Sequence, residues 1–96
     1  MPRHDPQSLG DVLSDLVDSY GYRDRLDAAR AVEAWPLVAG DRVAAQTEQA
    51  WMRDGVLTVR VASAAWRHQL HLQRDAWRQR LNDALGREVV REIAFR

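Results

Sequence analysis

Three arginines and a histidine recur at helical spacing in the second half of the chain. Arg67, His71, Arg74 and Arg78 follow one another at intervals of four, three and four residues. At 100° per residue, one helix places these four side chains within about 60° of one another. Cations in such a row can bind successive phosphates of a nucleic acid and release the counterions held there. The alternatives are a solvated face partly paired with Asp75 and nearby glutamates, or a contact for an acidic protein partner.

A tryptophan accompanied by arginines is the second candidate surface. Trp51 is two residues from Arg53, and Arg60 is its expected diagonal neighbour on an adjacent strand. Tryptophan and arginine are enriched among the residues that dominate interface energies, and an exposed aromatic ring can also stack on a base. The alternative is that a helix over residues 8–19 folds across this face and buries Trp51.

The motifs of catalysis and nucleotide binding are missing from the sequence. It contains no Gly-x-x-x-x-Gly-Lys-Ser/Thr phosphate loop, no Gly-x-Gly-x-x-Gly, no Gly-x-Ser-x-Gly, no lysine and no cysteine. His68 and His71 are three residues apart and would need a further ligand from elsewhere to hold a metal. Asp75, four residues after His71, is the one further candidate ligand at helical spacing. We therefore expect surface histidines, no metal, no cofactor and no enzymatic activity.

Composition limits the kind of partner that the chain can bind. Its 96 residues are 46% hydrophobic and 29% charged, which is typical of one globular domain. Fourteen basic residues, all arginine, balance fourteen acidic ones, so any binding to nucleic acid should be weak and salt-dependent. No apolar run approaches the roughly 20 residues of a membrane helix, and the first residues lack a signal peptide's apolar core. We expect a cytoplasmic protein.

A β-hairpin around Asp54-Gly55 positions the Trp51 surface. This dipeptide favours a two-residue type I′ turn between a strand over about 47–53 and a strand in which apolar and polar residues alternate. With a two-residue turn, Met52 lies opposite Leu57, and opposed residues share a face. The predicted core face is Ala50, Met52, Leu57, Val59 and Val61, and the outer face is Trp51, Arg53, Thr58 and Arg60.

Helical periodicity precedes this hairpin. An apolar stripe at spacings of three and four predicts a helix over about 8–19, after a flexible segment 1–7 and before Gly21. A second helix over 23–34 carries Leu26 and Ala29, and the residue preceding Pro36 is disfavoured in a helix. We therefore predict a kink or break at Trp35-Pro36, a short helical turn to about residue 38, and another over 41–46 capped by Asp41.

A long helix follows the hairpin and carries the basic stripe. It covers about 64–85, between the candidate cap Ser63 and Gly86, and its predicted core residues are Trp66, Leu70, Trp77, Leu81 and Ala84, widened by Leu72 and Ala76. A last strand over 88–95 is interrupted at Arg91, which indicates an edge strand. Residues 8–96 are therefore predicted to form a single α+β sandwich with three strands and helices on one face.

Several segments together resemble a known bacterial family. They are WPLVAG (35–40), DRVAAQT (41–47), DGVLTVRVAS (54–63), AW (65–66), Leu70 and LNDALGREVVREIAF (81–95). Their order and spacing resemble the DciA family over roughly residues 26–96. Family members typically have His at position 46 and Pro at positions 49 and 64, where this chain has Gln46, Gln49 and Ala64.

The resemblance implies both a fold and partners. It implies a KH-like fold, and a nucleoid-associated accessory protein that loads or operates the replicative helicase DnaB and contacts single-stranded or forked DNA. KH domains that bind single strands use a Gly-x-x-Gly loop, and this chain has none. Two other hypotheses stay open: an RNA-binding KH-like module, and a protein adaptor without nucleic-acid binding.

Overall fold

The structure, a computed structural model, describes residues 21–96. The predicted helix 8–19 and the predicted flexible segment 1–7 lie outside this range. Among the described residues, no helix is both long enough and apolar enough to cross a membrane. In chain order the elements are α1 (Tyr22–Ala39), α2 (Asp41–Gln46), β1 (Thr47–Arg53), β2 (Val56–Val61), α3 (Ala64–Leu72), α4 (Arg74–Leu85) and β3 (Glu92–Phe95).

The strands form one mixed sheet in the order β1-β2-β3. β1 runs antiparallel to β2 with Met52 opposite Leu57, which confirms the predicted register, and β3 runs parallel to β2. Both turn residues have positive φ, 52° at Asp54 and 81° at Gly55, as a type I′ hairpin requires. β3 is therefore an edge strand, as predicted, and β2 is the central strand.

The predicted core face of the hairpin packs against the helices. All five of its residues are buried or half-buried and join one apolar cluster with α1, α3 and α4: Ala50, Met52, Leu57, Val59 and Val61. On the outer face Arg53 and Arg60 are exposed, whereas Thr58 is buried opposite Trp51. The predicted fold class, an α+β sandwich with a three-stranded sheet, is confirmed with four helices and three strands in the described residues.

Of the predicted kink or break at Trp35-Pro36, the break is wrong, because α1 continues through Pro36 to Ala39. Pro36 lies in the last turn, where its missing N–H removes one backbone hydrogen bond, and its carbonyl still accepts from the N–H of Gly40 (3.2 Å). Trp35 is completely buried, and its packing outweighs the local preference of a residue before proline. The N-cap of α2 is Gly40, so the predicted cap at Asp41 is also wrong.

The predicted helix 64–85 is two helices, α3 and α4, that meet at Gln73. There the backbone has φ −105° and ψ 17°, and the Gln73 N–H donates to the carbonyl of Leu70 (3.1 Å). This i→i−3 bond tightens the last turn of α3. The predicted cap at Ser63 is confirmed, since its hydroxyl accepts from the N–H of Trp66 (3.3 Å).

Burial corrects part of the predicted helix stripes. Leu70, Trp77 and Leu81 are buried as predicted, and Trp66 is half-buried against the core. The residues predicted to face the core but exposed in the structure are Leu26, Ala29, Leu72, Ala76 and Ala84. At 100° per residue Leu72 and Ala76 lie more than 100° from the centre of the stripe formed by Leu70, Trp77 and Leu81, and they therefore face solvent.

A buried asparagine holds the segment that enters β3. The Asn82 Oδ1 accepts from the N–H groups of Val89 (3.0 Å) and Val90 (2.8 Å), and its Nδ2 donates to the Val90 carbonyl (2.9 Å). These bonds satisfy backbone groups that would otherwise be buried without partners. The predicted strand 88–95 is therefore too long, since pairing with β2 begins only at Glu92.

Replacing Asn82 by alanine should destabilise the fold strongly. Asn82→Ala leaves the buried N–H and carbonyl of Val90 without side-chain partners, and we expect the free energy of unfolding to fall by about 3 kcal/mol. Urea denaturation followed by circular dichroism measures this loss. The matched control is Asp83→Ala, an exposed neighbour on the same helix, which should change stability by less than about 0.5 kcal/mol. Equal losses in the two variants would contradict the role given to Asn82.

Candidate functional site

The α3–α4 junction exposes two members of the predicted basic stripe. His71 and Arg74 are both exposed. The Arg74 Nη1 donates to the His71 carbonyl oxygen (2.9 Å) and lies 3.4 Å from the His71 Nε2. The guanidinium thus satisfies a carbonyl at the end of α3 and keeps the cation at the corner. Leu72 lies between them in sequence with 62% of its surface exposed, so the corner combines cations with an apolar side chain.

The other two members of the stripe are engaged within the fold. Arg67 is half-buried, and its Nη1 donates to the carbonyl oxygen of Val61 (3.2 Å), which ties α3 to the end of β2. Arg78 forms an ion pair with Glu88 (3.8 Å), and its side chain is only 24% exposed. Arg67 and Arg78 are therefore less accessible to a phosphate than Arg74, because each is half-buried beside its partner whereas Arg74 is exposed.

The break at Gln73 therefore divides the stripe. Arg67 and His71 belong to α3, whereas Arg74 and Arg78 belong to α4. The predicted placement of all four on one continuous helix is wrong. The structure brings His71 and Arg74 into direct contact and gives Arg67 and Arg78 separate partners. Nucleic-acid binding by these four residues stays a prediction.

The outer sheet face brings together Trp51 and Arg60. The Arg60 guanidinium carbon lies 5.6 Å from the centroid of the Trp51 ring, within the range of a cation–π contact, as their predicted diagonal placement indicated. Trp51 is half-buried, and Arg53 and Arg60 are exposed. The face therefore presents an aromatic ring partly covered by a planar cation. A base or an aromatic side chain can stack there only beside or in place of the Arg60 guanidinium.

A cleft that sequence reasoning missed lies beside the hairpin turn. It has a volume of about 430 Å³ and is lined by parts of α1, the turn and residues 87–91. Arg91 donates to the Asp54 carbonyl oxygen and lies against Gly55, and Arg87 forms an ion pair with Asp27. The feature of the sequence that could have indicated this cleft is Arg91, which interrupts the alternation of apolar and polar residues in the predicted last strand.

The charges of this cleft do not suit a phosphate. Its two arginines already have partners, and its lining carboxylates outnumber them: Asp24, Asp27, Asp54 and Glu88 against Arg87 and Arg91. No group of three or more histidine, cysteine or acidic residues able to hold a metal occurs in the part of the chain that the structure describes. Binding of anions or aromatic groups at the α3–α4 junction and on the outer sheet face stays a prediction.

Comparisons with known proteins give the chain its relatives. It matches the family model described as "Dna[CI] antecedent, DciA" over residues 8–95. A UPF0232 protein of Mycolicibacterium smegmatis is 34% identical over 86 residues, which cover 90% of this chain and 44% of the relative. A UPF0232 protein of Mycobacterium tuberculosis is 30% identical over 89 residues, covering 93% and 48%. One of Rhodococcus jostii is 28% identical over 89 residues, covering 93% and 47%. The chain thus spans about half the length of the curated relatives it matches.

Stability measurements can separate the structural arginine of the stripe from its exposed members. Arg67→Ala should lower the free energy of unfolding by about 1 kcal/mol, because the Val61 carbonyl loses its guanidinium donor. His71→Ala is the matched control and should change it by less than about 0.5 kcal/mol, since that side chain is exposed. Chemical denaturation of both variants tests this difference. An unchanged midpoint for Arg67→Ala would show that its guanidinium contributes nothing to the fold.

Proposed function

The chain belongs to the DciA family, and from that premise we propose that it is a non-enzymatic accessory protein that binds the replicative helicase DnaB and DNA and promotes helicase loading during DNA replication. The observation that carries the proposal is the family match over residues 8–95. The family is linked to loading of this helicase. Because the curated relatives are about twice as long, the function proposed here concerns this domain and the surfaces described above.

DNA binding is proposed for the α3–α4 junction. Arg74 and His71 supply exposed cations there, and Arg67 and Arg78 flank them along α3 and α4. Phosphate contacts of this kind hold a strand without reading its sequence. A net charge of zero provides little long-range attraction, so affinity depends on these few local contacts. Each phosphate neutralised on a single strand changes the slope of log K against log salt by about 0.7.

Contact with the helicase is proposed for the outer sheet face. Trp51 supplies the aromatic anchor, and Arg53 and Arg60 supply surrounding cations. Tryptophan and arginine are the residue types that most often dominate the binding energy of an interface. The sequence carries no nucleotide-binding motif, so the proposed mechanism uses binding energy alone. The protein favours a helicase state that admits DNA, to the extent that it binds this state more tightly.

The free-energy requirement of this mechanism is small. A tenfold shift toward the loading-competent helicase requires a preference of about 1.4 kcal/mol for that state. Truncation of a single interface hot spot commonly costs about 2 kcal/mol or more. One aromatic side chain of the outer sheet face that becomes buried against the helicase can therefore supply a preference of this size.

The nucleic-acid part of the proposal predicts a localised charge effect. Arg74→Glu should weaken binding to single-stranded DNA by roughly tenfold at low salt, equally for unrelated sequences, because phosphate contacts carry no sequence information. Fluorescence anisotropy with labelled oligonucleotides across a salt series measures this loss. The matched control is Arg42→Glu, the same charge change at an exposed site on α2, which should weaken binding far less.

Three outcomes of these binding experiments would redirect the proposal. Equal weakening by Arg74→Glu and Arg42→Glu would indicate diffuse attraction and remove the junction as the site. Tighter binding to an RNA oligonucleotide of the same sequence would favour the RNA-binding alternative. Absence of binding to either nucleic acid at low salt, together with capture of a protein partner, would favour the adaptor.

The helicase part of the proposal predicts a separable defect. In an unwinding assay on forked DNA with cognate DnaB, the protein should stimulate helicase loading, and Trp51→Ala should reduce that stimulation at least fivefold by removing the anchor. Leu37→Ala removes another exposed apolar side chain, one that lies on α1 and not on the sheet, and should leave stimulation intact. Circular dichroism verifies that both variants fold. A wild-type chain that neither stimulates unwinding nor forms a complex with DnaB at any salt concentration would exclude the helicase function.

A further inference from the structure

One face of α1 is exposed along the whole helix. The helix buries Ala31 and Trp35 against the described core. At 100° per residue, every residue of α1 within an arc of about 160° on the opposite side is exposed. Three of the four large apolar side chains exposed in the described residues lie in this arc, among them Leu26 (47%) and Leu37 (85%). Another helix can therefore approach α1 from this side without displacing any other described element.

Four residues in this arc follow the spacing of paired helices. Leu26, Arg30, Glu33 and Leu37 occur at intervals of four, three and four residues, as do the residues that face a partner in a coiled coil. On one helix they lie within about 60° of one another. We call these four residues the α1 seam. Its two ends are apolar, and its centre carries one cation and one anion.

The α1 seam is complementary to itself. If two copies of α1 pack antiparallel about a twofold axis between residues 31 and 32, Leu26 of each copy lies opposite Leu37 of the other. In the same arrangement Arg30 of each copy lies opposite Glu33 of the other. Each contact occurs twice, as the symmetry of an isologous interface requires. A parallel pair in register would instead place each charge beside an identical charge.

The two charged side chains of the seam are available for this contact. Arg30 and Glu33 are both exposed. Neither is among the residues that form ion pairs in the part of the chain that the structure describes. Pairing across an interface therefore breaks no ion pair within the fold, and it brings each charge beside one of opposite sign.

We propose that the α1 seam is a homodimer interface, in which α1 of a second copy of this chain packs antiparallel onto it. This inference does not depend on the proposed function, and the seam shares no residue with the outer sheet face. Four residues per copy are few compared with the roughly 20–30 of a standard interface. The dimer should therefore be weak, with a dissociation constant on the order of 100 µM.

A partner of uniform charge fits the seam less well than a second copy does. An acidic helix attracted by Arg30 would be repelled by Glu33, and a basic helix would meet the reverse, because residues three apart are neighbours on a helix. A nucleic acid is disfavoured for the same reason, since a phosphate at Arg30 lies close to the Glu33 carboxylate. A second copy presents one cation and one anion at the same spacing and in the opposite order.

Charge reversal tests the proposal by sedimentation velocity of the full chain. The wild-type chain should change from monomer to dimer between concentrations about tenfold below and tenfold above the expected dissociation constant. Arg30→Glu should weaken dimerisation at least tenfold, because both charge pairs become pairs of carboxylates, and Glu33→Arg should do so by creating two pairs of guanidinium groups. An equimolar mixture of these two variants should dimerise again, since each supplies the charge that the other needs.

Matched variants outside α1 serve as controls. Arg74→Glu, the same charge change at another exposed arginine, should leave the dissociation constant within about twofold of the wild-type value. Leu37→Asp should weaken dimerisation at least tenfold by placing a charge in the apolar contact, whereas Leu72→Asp, at the exposed leucine of α3, should leave it unchanged. Circular dichroism verifies that every variant folds.

Three results would overturn the assignment. The first is a wild-type chain that stays monomeric over the whole range, and loss of a DnaB complex in Leu37→Asp would then assign the seam to the helicase. The second is dimerisation that persists in both Leu37→Asp and Glu33→Arg, which would place the interface elsewhere on the molecule. The third is a mixture of Arg30→Glu and Glu33→Arg that stays monomeric, which would show that these charges do not face each other across the axis.

Discussion

The indole of Trp35 is completely buried and contacts the elements on which the described fold depends. Its ring centroid lies 5.4 Å from that of Trp77 on α4, edge-on at 69°, and 5.7 Å from that of Phe95 on β3. Its Nε1 donates to the Thr47 hydroxyl (3.0 Å), which in turn donates to the Val43 carbonyl (3.2 Å). One side chain thus fixes α1 against α4, β3 and the α2–β1 junction. Each aromatic pair contributes about 0.5–1.5 kcal/mol beyond burial of apolar area.

Two buried side chains of α4, Trp77 and Asn82, differ in how their polar atoms are satisfied. Among the described residues, the Trp77 Nε1 is buried without a hydrogen-bond partner, a loss of about 1–3 kcal/mol. The Trp77 ring compensates through its edge contact with Trp35 and through the Arg80 guanidinium, whose carbon lies 5.0 Å from the ring centroid. In the buried amide of Asn82, by contrast, both the oxygen and the nitrogen form hydrogen bonds.

How much the sequence predicts depends on whether a local or a tertiary interaction decides each element. The hairpin register was predictable because Asp54-Gly55 fixes the length of the turn, and the turn length decides which residues of the two strands lie opposite each other. Pro36 was misjudged because burial of Trp35, a tertiary effect, overrides the preference for a break. The break at Gln73 has no proline or glycine to mark it. The role of Asn82 was not predicted, because nothing local indicates that it pairs with a segment eight residues further on.

The candidate site was predictable in composition but not in geometry, and the arginines show why. Four arginines that look alike in the sequence each have a partner within the fold. Arg67 donates to the Val61 carbonyl and Arg91 to the Asp54 carbonyl, whereas Arg78 pairs with Glu88 and Arg87 with Asp27. Arg74 holds its partner at an exposed corner. Sequence periodicity does not distinguish these arginines, although an arginine that must first break an internal contact binds a phosphate with a smaller net gain in free energy. In a chain of zero net charge, recognition of an anionic partner therefore depends on where internal pairing leaves guanidinium groups at the surface. That distribution is a property of the tertiary structure, since partners such as Asp27 and Arg87 are distant in sequence.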